Sequence, residues 1–184
     1  KQRVSLAGVM VDDVKILLFD EPLANLDPAT GKQAIELIDT IQQKTDTTVL
    51  IIEHRLEDVL WRNVDRIVLV NEGRILADLR PDELLSGSLL AENGIREPLY
   101  VTAMRCAGIA VTPEKHPAHI NSVVLDEADT ARLHSWFQAE PLPAPKPAPE
   151  PLLEVRDLCF GYNKGQHTLQ NVSFSIGKGE MVSI

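Results

Sequence analysis

The hydrophobic pattern near the start of the chain predicts a βαβ unit. Two short runs, at residues 16–19 and 48–52, are almost entirely apolar, which is typical of strands buried on both faces of a parallel sheet. Between them, Ile35, Ile38 and Ile41 recur at the spacing of one helix face. A strand, a helix and a strand in this order predict two parallel strands joined by a right-handed crossover. The expected fold class is therefore α/β.

Weaker periodic segments predict smaller elements around this unit. The apolar runs IVLV and RILAD, separated by Asn71-Glu72-Gly73, predict a β-hairpin with a glycine-containing turn. Helical spacing occurs over residues 1–12, 55–63, 99–107 and 126–137, and residues 121–125 have the composition of a strand. We assign residues 86–140 only to a small accessory region.

A proline-rich segment follows the accessory region. Every second residue from Pro141 to Pro151 is proline, which predicts a polyproline II spacer of roughly 30 Å. Beyond it, period-two alternation predicts strands that begin at Leu153 and Val172, and Gly177-Lys178-Gly179 is expected to turn the chain into a strand over 180–184. The expected segments are 1–85, 86–140, 141–151 and 152–184.

Composition and charge narrow the classes of function. Hydrophobic residues make up 44% and charged residues 24% of the 184 residues, as in a soluble globular protein. The formal net charge of -9 offers no basic footprint, so we expect no nucleic-acid partner. No apolar run approaches the roughly 20 residues of a transmembrane helix. Cys106 and Cys159 lie too far apart in sequence for a metal-binding pair, and we interpret His116 and His119 as loop histidines.

Polar residues at the ends of the two predicted parallel strands form the candidate site. Asp20 and Glu21 follow the first strand, and Glu53 and His54 follow the second. Ligand sites of open parallel sheets lie beyond the carboxyl ends of the strands. Two adjacent carboxylates suit nucleotide hydrolysis, because one can hold Mg²⁺ while the next orients or deprotonates a water. The alternative is that the acidic residues only end the strand, and the pair alone does not decide between these interpretations.

Several motifs, in sequence order, resemble those of ABC ATPases. ILLFDEP resembles the Walker B strand, LANLDP the D-loop, and LIIEHR the strand that carries the switch histidine. KQRV at residues 1–4 resembles the sequence that follows the signature loop. The resemblance implies that residues 1–85 are the C-terminal half of a first ABC ATPase domain, a partial P-loop NTPase fold with parallel strands.

The end of the chain resembles a different part of the same family. Residues 152–184, LLEVRDLCFGYNKGQHTLQNVSFSIGKGEMVSI, are similar to the antiparallel β-subdomain that opens an ABC ATPase domain. Because motifs from late in a domain precede motifs from early in one, the resemblance implies an internal fragment that joins two domains. The sequence contains no GxxxxGKS or GxxxxGKT pattern to cradle phosphates, so we expect this fragment alone to be unable to hydrolyse ATP.

The resemblance implies a role for each candidate residue. Asp20 would coordinate Mg²⁺ through water, Glu21 would be the general base, and His54 would contact the γ-phosphate of ATP. Asp27 would act across the interface between two ATPase domains, and Tyr162 would stack on adenine. Simpler interpretations accompany the last two, since Asp27 is also placed to cap a helix and a tyrosine in a loop is usually a packing residue.

The same segments indicate a type of ABC protein. LANLDP, IIEHRLEDVL and GIREPLYVTAMRCAG resemble the tandem ATPases of energy-coupling factor importers for vitamins, thiamine precursors or cobalt. This implies ATP and Mg²⁺ as cofactors, and integral membrane transport subunits and a second ABC domain of the same chain as partners. It also implies a peripheral location on the cytoplasmic face of the cell membrane. The alternatives are a soluble tandem ABC ATPase acting in translation and a non-catalytic scaffold, although the presence of Glu21 and His54 argues against a decayed first site.

Overall fold

The predicted βαβ unit is present in a computed structural model, which describes residues 14–24, 26–45, 47–139 and 149–183. Strands β1 (Ile16–Asp20) and β2 (Thr48–Ile52) pair in parallel, and helix α1 (Pro28–Thr45) connects them. The register sets Asp20 opposite Ile52, so both strands end at the same edge. The expected α/β fold class is confirmed.

Only one face of this strand pair is covered. Leu23, Ile35 and Ile38 form a buried cluster, against which Phe19 and Val49 pack. The side chains on the other face are 52–69% exposed, and they are Ile16, Leu18, Leu50 and Ile52. The expectation that both strands are buried on both faces is therefore wrong for the described part of the chain. Helix α1 covers one face, and no described residue covers the other.

After β2, the chain forms a short helix and the predicted hairpin. The helix expected over residues 55–63 is shorter and spans only α2 (Leu56–Val59). It ends because the amides of Trp61 and Arg62 donate to carbonyls three residues back, which tightens the last turn. Strands β3 (Ile67–Asn71) and β4 (Arg74–Leu79) pair antiparallel, which confirms the hairpin.

A 3₁₀ helix (Pro113–Lys115) and four α-helices lie between the hairpin and the end of the accessory region: α3 (Pro81–Ser86), α4 (Leu89–Glu92), α5 (Leu99–Cys106) and α6 (Glu127–Ala139). The last two confirm the helices predicted there. Their core includes Leu85, Leu90 and Val101 together with Leu60 and Leu69 from the preceding elements. This core continues across residue 85, where the sequence suggested a boundary. The division into four segments remains a prediction.

The strand predicted over residues 121–125 does not form. The Ser122 hydroxyl donates to the carbonyls of His116 and His119, at 2.9 and 2.8 Å, and folds the segment into a turn. Val123 and Leu125 still pack against the accessory core. Their apolar character therefore reflects burial rather than a β-ladder.

Residues 1–140 and 141–184 divide into two compact units. In the second, β5 (Pro151–Phe160) and β6 (Leu169–Gly177) form an antiparallel pair, as predicted. Pro151 belongs to β5 rather than to the spacer, since a proline is tolerated as the first residue of a strand.

Lys178 and Gly179 form the predicted turn at the end of β6. The strand expected over 180–184 is absent among its described residues, 180–183. The Glu180 carboxylate instead accepts a 2.6 Å hydrogen bond from the Gly177 amide, which turns the chain away from β6.

The helix predicted over residues 1–12 and most of the proline segment lie outside the described residues. Among the helices that the structure does describe, none combines the length and the apolar character needed to span a bilayer.

Candidate functional site

The site begins where β1 ends. Asp20 is the last residue of β1 and is exposed. The amide of Glu21 donates to the Ile52 carbonyl at 2.9 Å, which extends the contact with β2 by one residue. Glu21 has a φ of 45°, in the left-handed region that residues other than glycine seldom adopt. The chain therefore leaves the sheet sharply at the second carboxylate.

The start of the loop after β1 is held by a buried leucine and an arginine. Leu23 is fully buried in the cluster beneath β1 and β2. Its carbonyl accepts a hydrogen bond from Arg55 Nη1 at 3.1 Å, and Arg55 also pairs with Asp58. Arg55 thus ties the loop after β1 to the segment after β2. Sequence reasoning gave Arg55 no role, although its place directly after Glu53-His54 was a usable signal.

The structure brings Glu21 and His54 together. His54 Nδ1 lies 3.8 Å from Glu21 Oε1 and 3.3 Å from Glu53 Oε1. The side chains of Glu21 and His54 are 56% and 73% exposed, so a ligand has access to both. This juxtaposition follows from the parallel register, because residues directly after Asp20 and Ile52 meet at one edge of the sheet.

Glu53 differs sharply from its two neighbours in burial. Its side chain is only 2% exposed. Oε1 accepts hydrogen bonds from the amides of His54 and Arg55, at 3.0 and 3.1 Å. Oε2 is buried and has no hydrogen-bond partner in the described part of the chain. The sequence placed Glu53 at the sheet edge but gave no sign that its carboxylate would be buried.

Asp27 caps helix α1. Asp27 Oδ1 accepts hydrogen bonds from the amides of Ala29 and Thr30, at 3.1 and 3.0 Å, and Oδ2 accepts one from the Thr30 hydroxyl at 2.5 Å. The Thr30 hydroxyl and the backbone amides lower the pKa of the Asp27 carboxyl below its ordinary value. The capping interpretation is confirmed, and the role across a domain interface remains a prediction.

Tyr162 lies in the second unit, in the loop after β5. Its side chain is 84% exposed, and its ring meets that of Phe160 edge to face with centroids 5.0 Å apart. A side chain at Gly161 would collide with the Gln166 carbonyl, so the loop closes tightly beside Tyr162 only because residue 161 is glycine. The ring is available for stacking, as the adenine hypothesis requires.

His116 and His119 have separate environments. His116 Nδ1 lies 3.4 Å from Asp82 Oδ2, whereas the His119 ring lies beside that of Trp61 with centroids 5.6 Å apart. No group of three or more metal-ligating side chains occurs within the described ranges. We assign the two histidines no ligand.

The side chains at the carboxyl ends of β1 and β2 are suited to binding a nucleotide with its Mg²⁺ ion. Exposed carboxylate oxygens are the ligands that Mg²⁺ prefers, and Asp20 provides them at the end of β1. Glu21 provides an accessible proton acceptor, and His54 provides a nitrogen donor for a phosphate oxygen.

Several known proteins are similar to this chain. A family model described as an ATP-binding cassette cobalt transporter matches residues 87–160. Three curated relatives, each described by name as an ABC transporter ATP-binding protein, match all of the chain: Vibrio parahaemolyticus at 50% identity, Vibrio vulnificus at 52% and Clostridium perfringens at 48%. The chain spans 32% of the length of each.

Among solved structures, cbiO1 from Clostridium perfringens, described as part of the ABC transporter complex cbiONQ, is 28% identical with a TM-score of 0.45. The aligned part covers 56% of this chain and 41% of that one. Along its whole length, the chain is therefore similar to about a third of the length of proteins described as ABC transporter ATP-binding proteins.

Proposed function

We propose that this chain supplies part of two ATP sites in an energy-coupling factor importer. The parent, a protein of the relatives' length that contains this chain, binds and hydrolyses ATP to drive uptake of a small substrate such as a vitamin or a metal ion. The observation that carries the proposal is the meeting of Glu21 and His54 at the carboxyl edge of β1 and β2, with Nδ1 and Oε1 3.8 Å apart.

In the first site, each residue has a separate task. Glu21 Oε1 takes the proton from the attacking water, and His54 contacts the γ-phosphate. Asp20 would hold Mg²⁺ through water, and the ion would supply positive charge beside the phosphates. Asp27 acts across the interface between two ATPase domains while it caps α1. In the second site, Tyr162 stacks on adenine.

The parent works with integral membrane transport subunits at the cytoplasmic face of the membrane. The family model that matches residues 87–160 is described as a cobalt transporter, which supports a metal ion as the transported substrate. Sequence features of the D-loop and of LIIEHR support vitamin importers equally, so both substrate classes belong in the test.

The proposal is tested by reconstituting the parent with its membrane subunits in liposomes. We expect ATP-dependent uptake of radiolabelled cobalt or of a thiamine precursor, and we expect uptake to stop in Glu21→Gln. Glu72→Gln, in the exposed turn of the β3–β4 hairpin, removes the same charge away from the site and is the matched control. Uptake of neither substrate class, or uptake without ATP, would contradict the importer assignment.

A further inference from the structure

We propose that Glu53 is a positioning residue for His54, with a buried carboxylate that holds the imidazole so that Nε2 is the ring nitrogen presented to the γ-phosphate. The inference rests on the proposed function, because that function gives His54 its phosphate contact. It assigns Glu53 a task that the similarity to ABC proteins does not supply.

The Glu53 carboxylate is held firmly. Only 2% of its side chain is exposed, and Oε1 accepts hydrogen bonds from two consecutive amides, those of His54 and Arg55. Because one of these amides belongs to His54 itself, the carboxylate is fixed relative to the backbone of the residue that it orients. Arg55 adds rigidity through its hydrogen bond to the Leu23 carbonyl.

The His54 ring needs such a restraint. Its side chain is 73% exposed, and an exposed side chain exchanges between rotamers unless a contact selects one of them. His54 Nδ1 lies 3.3 Å from Glu53 Oε1, closer than the 3.8 Å to Glu21 Oε1. A carboxylate beside one ring nitrogen favours a proton there and sets the orientation of the other nitrogen.

The hydrogen bonds from the His54 and Arg55 amides do not by themselves explain why residue 53 is a glutamate. The two amides use only Oε1, and an uncharged glutamine would offer the same oxygen. Oε2 remains buried without a hydrogen-bond partner among the described residues, which is unfavourable for a charged group. The negative charge beside the imidazole is what glutamine would lack.

This arrangement also gives Glu21 and Glu53 different tasks. The Glu53 side chain is buried, and its Oε1 lies 3.3 Å from Nδ1, whereas Glu21 is exposed and its Oε1 lies 3.8 Å from Nδ1. Glu21 therefore keeps its carboxylate free for the attacking water.

The test is a double-mutant cycle on ATP turnover at the first site of the parent, with the second site inactivated separately. Glu53→Gln retains an oxygen for the two amides and removes the charge. We expect kcat to fall about tenfold, within the range of coupling between neighbouring residues, while the affinity for Mg·ATP changes less than about twofold. In a His54→Ala background, Glu53→Gln should cause no further loss. Glu72→Gln should hydrolyse ATP like the wild type.

Each outcome of the cycle has one meaning. Wild-type turnover in Glu53→Gln would overturn the positioning role, and so would an equal loss with and without His54. Wild-type turnover in His54→Ala would instead overturn the phosphate contact on which the proposed function depends. These two failures are therefore distinguishable.

A second measurement does not need Glu53→Gln to fold. In wild-type parent labelled with ¹⁵N-histidine, His54 is assigned by its absence in His54→Ala. We expect the nitrogen shifts to show a proton on Nδ1. An unprotonated Nδ1 would overturn the inference.

Discussion

At the scale of single residues, burial decides what each acidic group of the site can do. Glu21 and Glu53 both approach His54, yet one is 56% exposed and the other only 2%. A proton acceptor must reach water, whereas a group that orients a neighbour must be immobile. Both needs are met by residues directly after two paired strands. Their sequence positions are equivalent, and only the packing around them separates the roles that we propose for them.

Asp27 provides a pH-dependent test of the cap on α1. The Thr30 hydroxyl is the main cause that lowers the pKa of Asp27 from 3.8 in the folded protein. The ionised carboxylate therefore stabilises the folded protein at pH values above the unfolded-state pKa. This stabilisation is lost as the pH falls through the folded-state pKa. We expect Asp27→Ala to lower stability more at pH 7 than near pH 3. Chemical denaturation at both pH values measures this difference.

Asp27→Asn is the matched control, because asparagine caps helices without a titratable charge. Asp27→Asn should retain most of the stability of the wild type. It should remove the part of the pH dependence of stability that comes from the Asp27 carboxylate. A stability loss in Asp27→Ala that is equal at both pH values would show that the carboxylate charge contributes nothing to the cap.

Tyr162 provides the residue-scale test in the second unit. If its exposed ring stacks on adenine, Tyr162→Ala in the parent should weaken ATP binding at that site by about 1–3 kcal/mol, the range measured for bases stacked on aromatic rings. Tyr162→Phe retains the ring and should bind ATP normally. Binding of a fluorescent ATP analogue measures both variants, and equal affinity in Tyr162→Ala and the wild type would remove the adenine assignment.

At the scale of elements, the core of the first unit joins the β3–β4 hairpin to the helices that follow it. Leu85 is fully buried in this core with Leu69 and Val101. Leu85→Ala should therefore lower the free energy of unfolding by about 2–5 kcal/mol, the range for a leucine truncated in a packed core. Denaturation followed by tryptophan fluorescence reports on this unit, because Trp61 and Trp136 both lie in it.

Leu99→Ala provides the comparison, since Leu99 is exposed at the start of α5. Its effect should stay below about 1 kcal/mol. Equal losses in the two variants would contradict the assignment of Leu85 to the core.

Elements with a strong local signal were predictable from the sequence. Isoleucines at helical spacing and the Asp27 cap identified α1, and Asn71-Glu72-Gly73 identified the hairpin turn. Failures occurred where distant contacts decide. Residues 121–125 look like a strand but pack individually against helices, and residues 180–183 have strand composition without a partner strand among the described residues.

The site was predictable in position but not in detail. Parallel pairing of apolar runs implied that Glu21 and His54 would meet, and they do. The burial of Glu53 and the reach of Arg55 to the Leu23 carbonyl depend on packing between segments about 30 residues apart, which no local pattern encodes. The apolar runs also predicted too much burial. They predicted that both faces of β1 and β2 are buried, whereas the described residues cover only one of these faces.

At the scale of the whole molecule, the chain provides part of each proposed site. The first unit contributes Asp20, Glu21 and His54, and the second contributes Tyr162. The sequence has no GxxxxGKS or GxxxxGKT pattern, and the chain spans 32% of its curated relatives. Hydrolysis is therefore a property to measure in the parent, site by site.

Single-turnover hydrolysis in Glu21→Gln parent tests the central claim most directly, with Mg·ATP affinity measured on the same protein and the second site inactivated separately. Loss of a general base costs about 10²–10⁴ in rate and acts on the transition state more than on binding. We predict that hydrolysis at the first site falls by that factor while Mg·ATP still binds, whereas Asp20→Asn weakens the Mg²⁺-dependent binding itself. Near-normal hydrolysis at the first site of Glu21→Gln would contradict the account and leave a strand that merely ends in two acids.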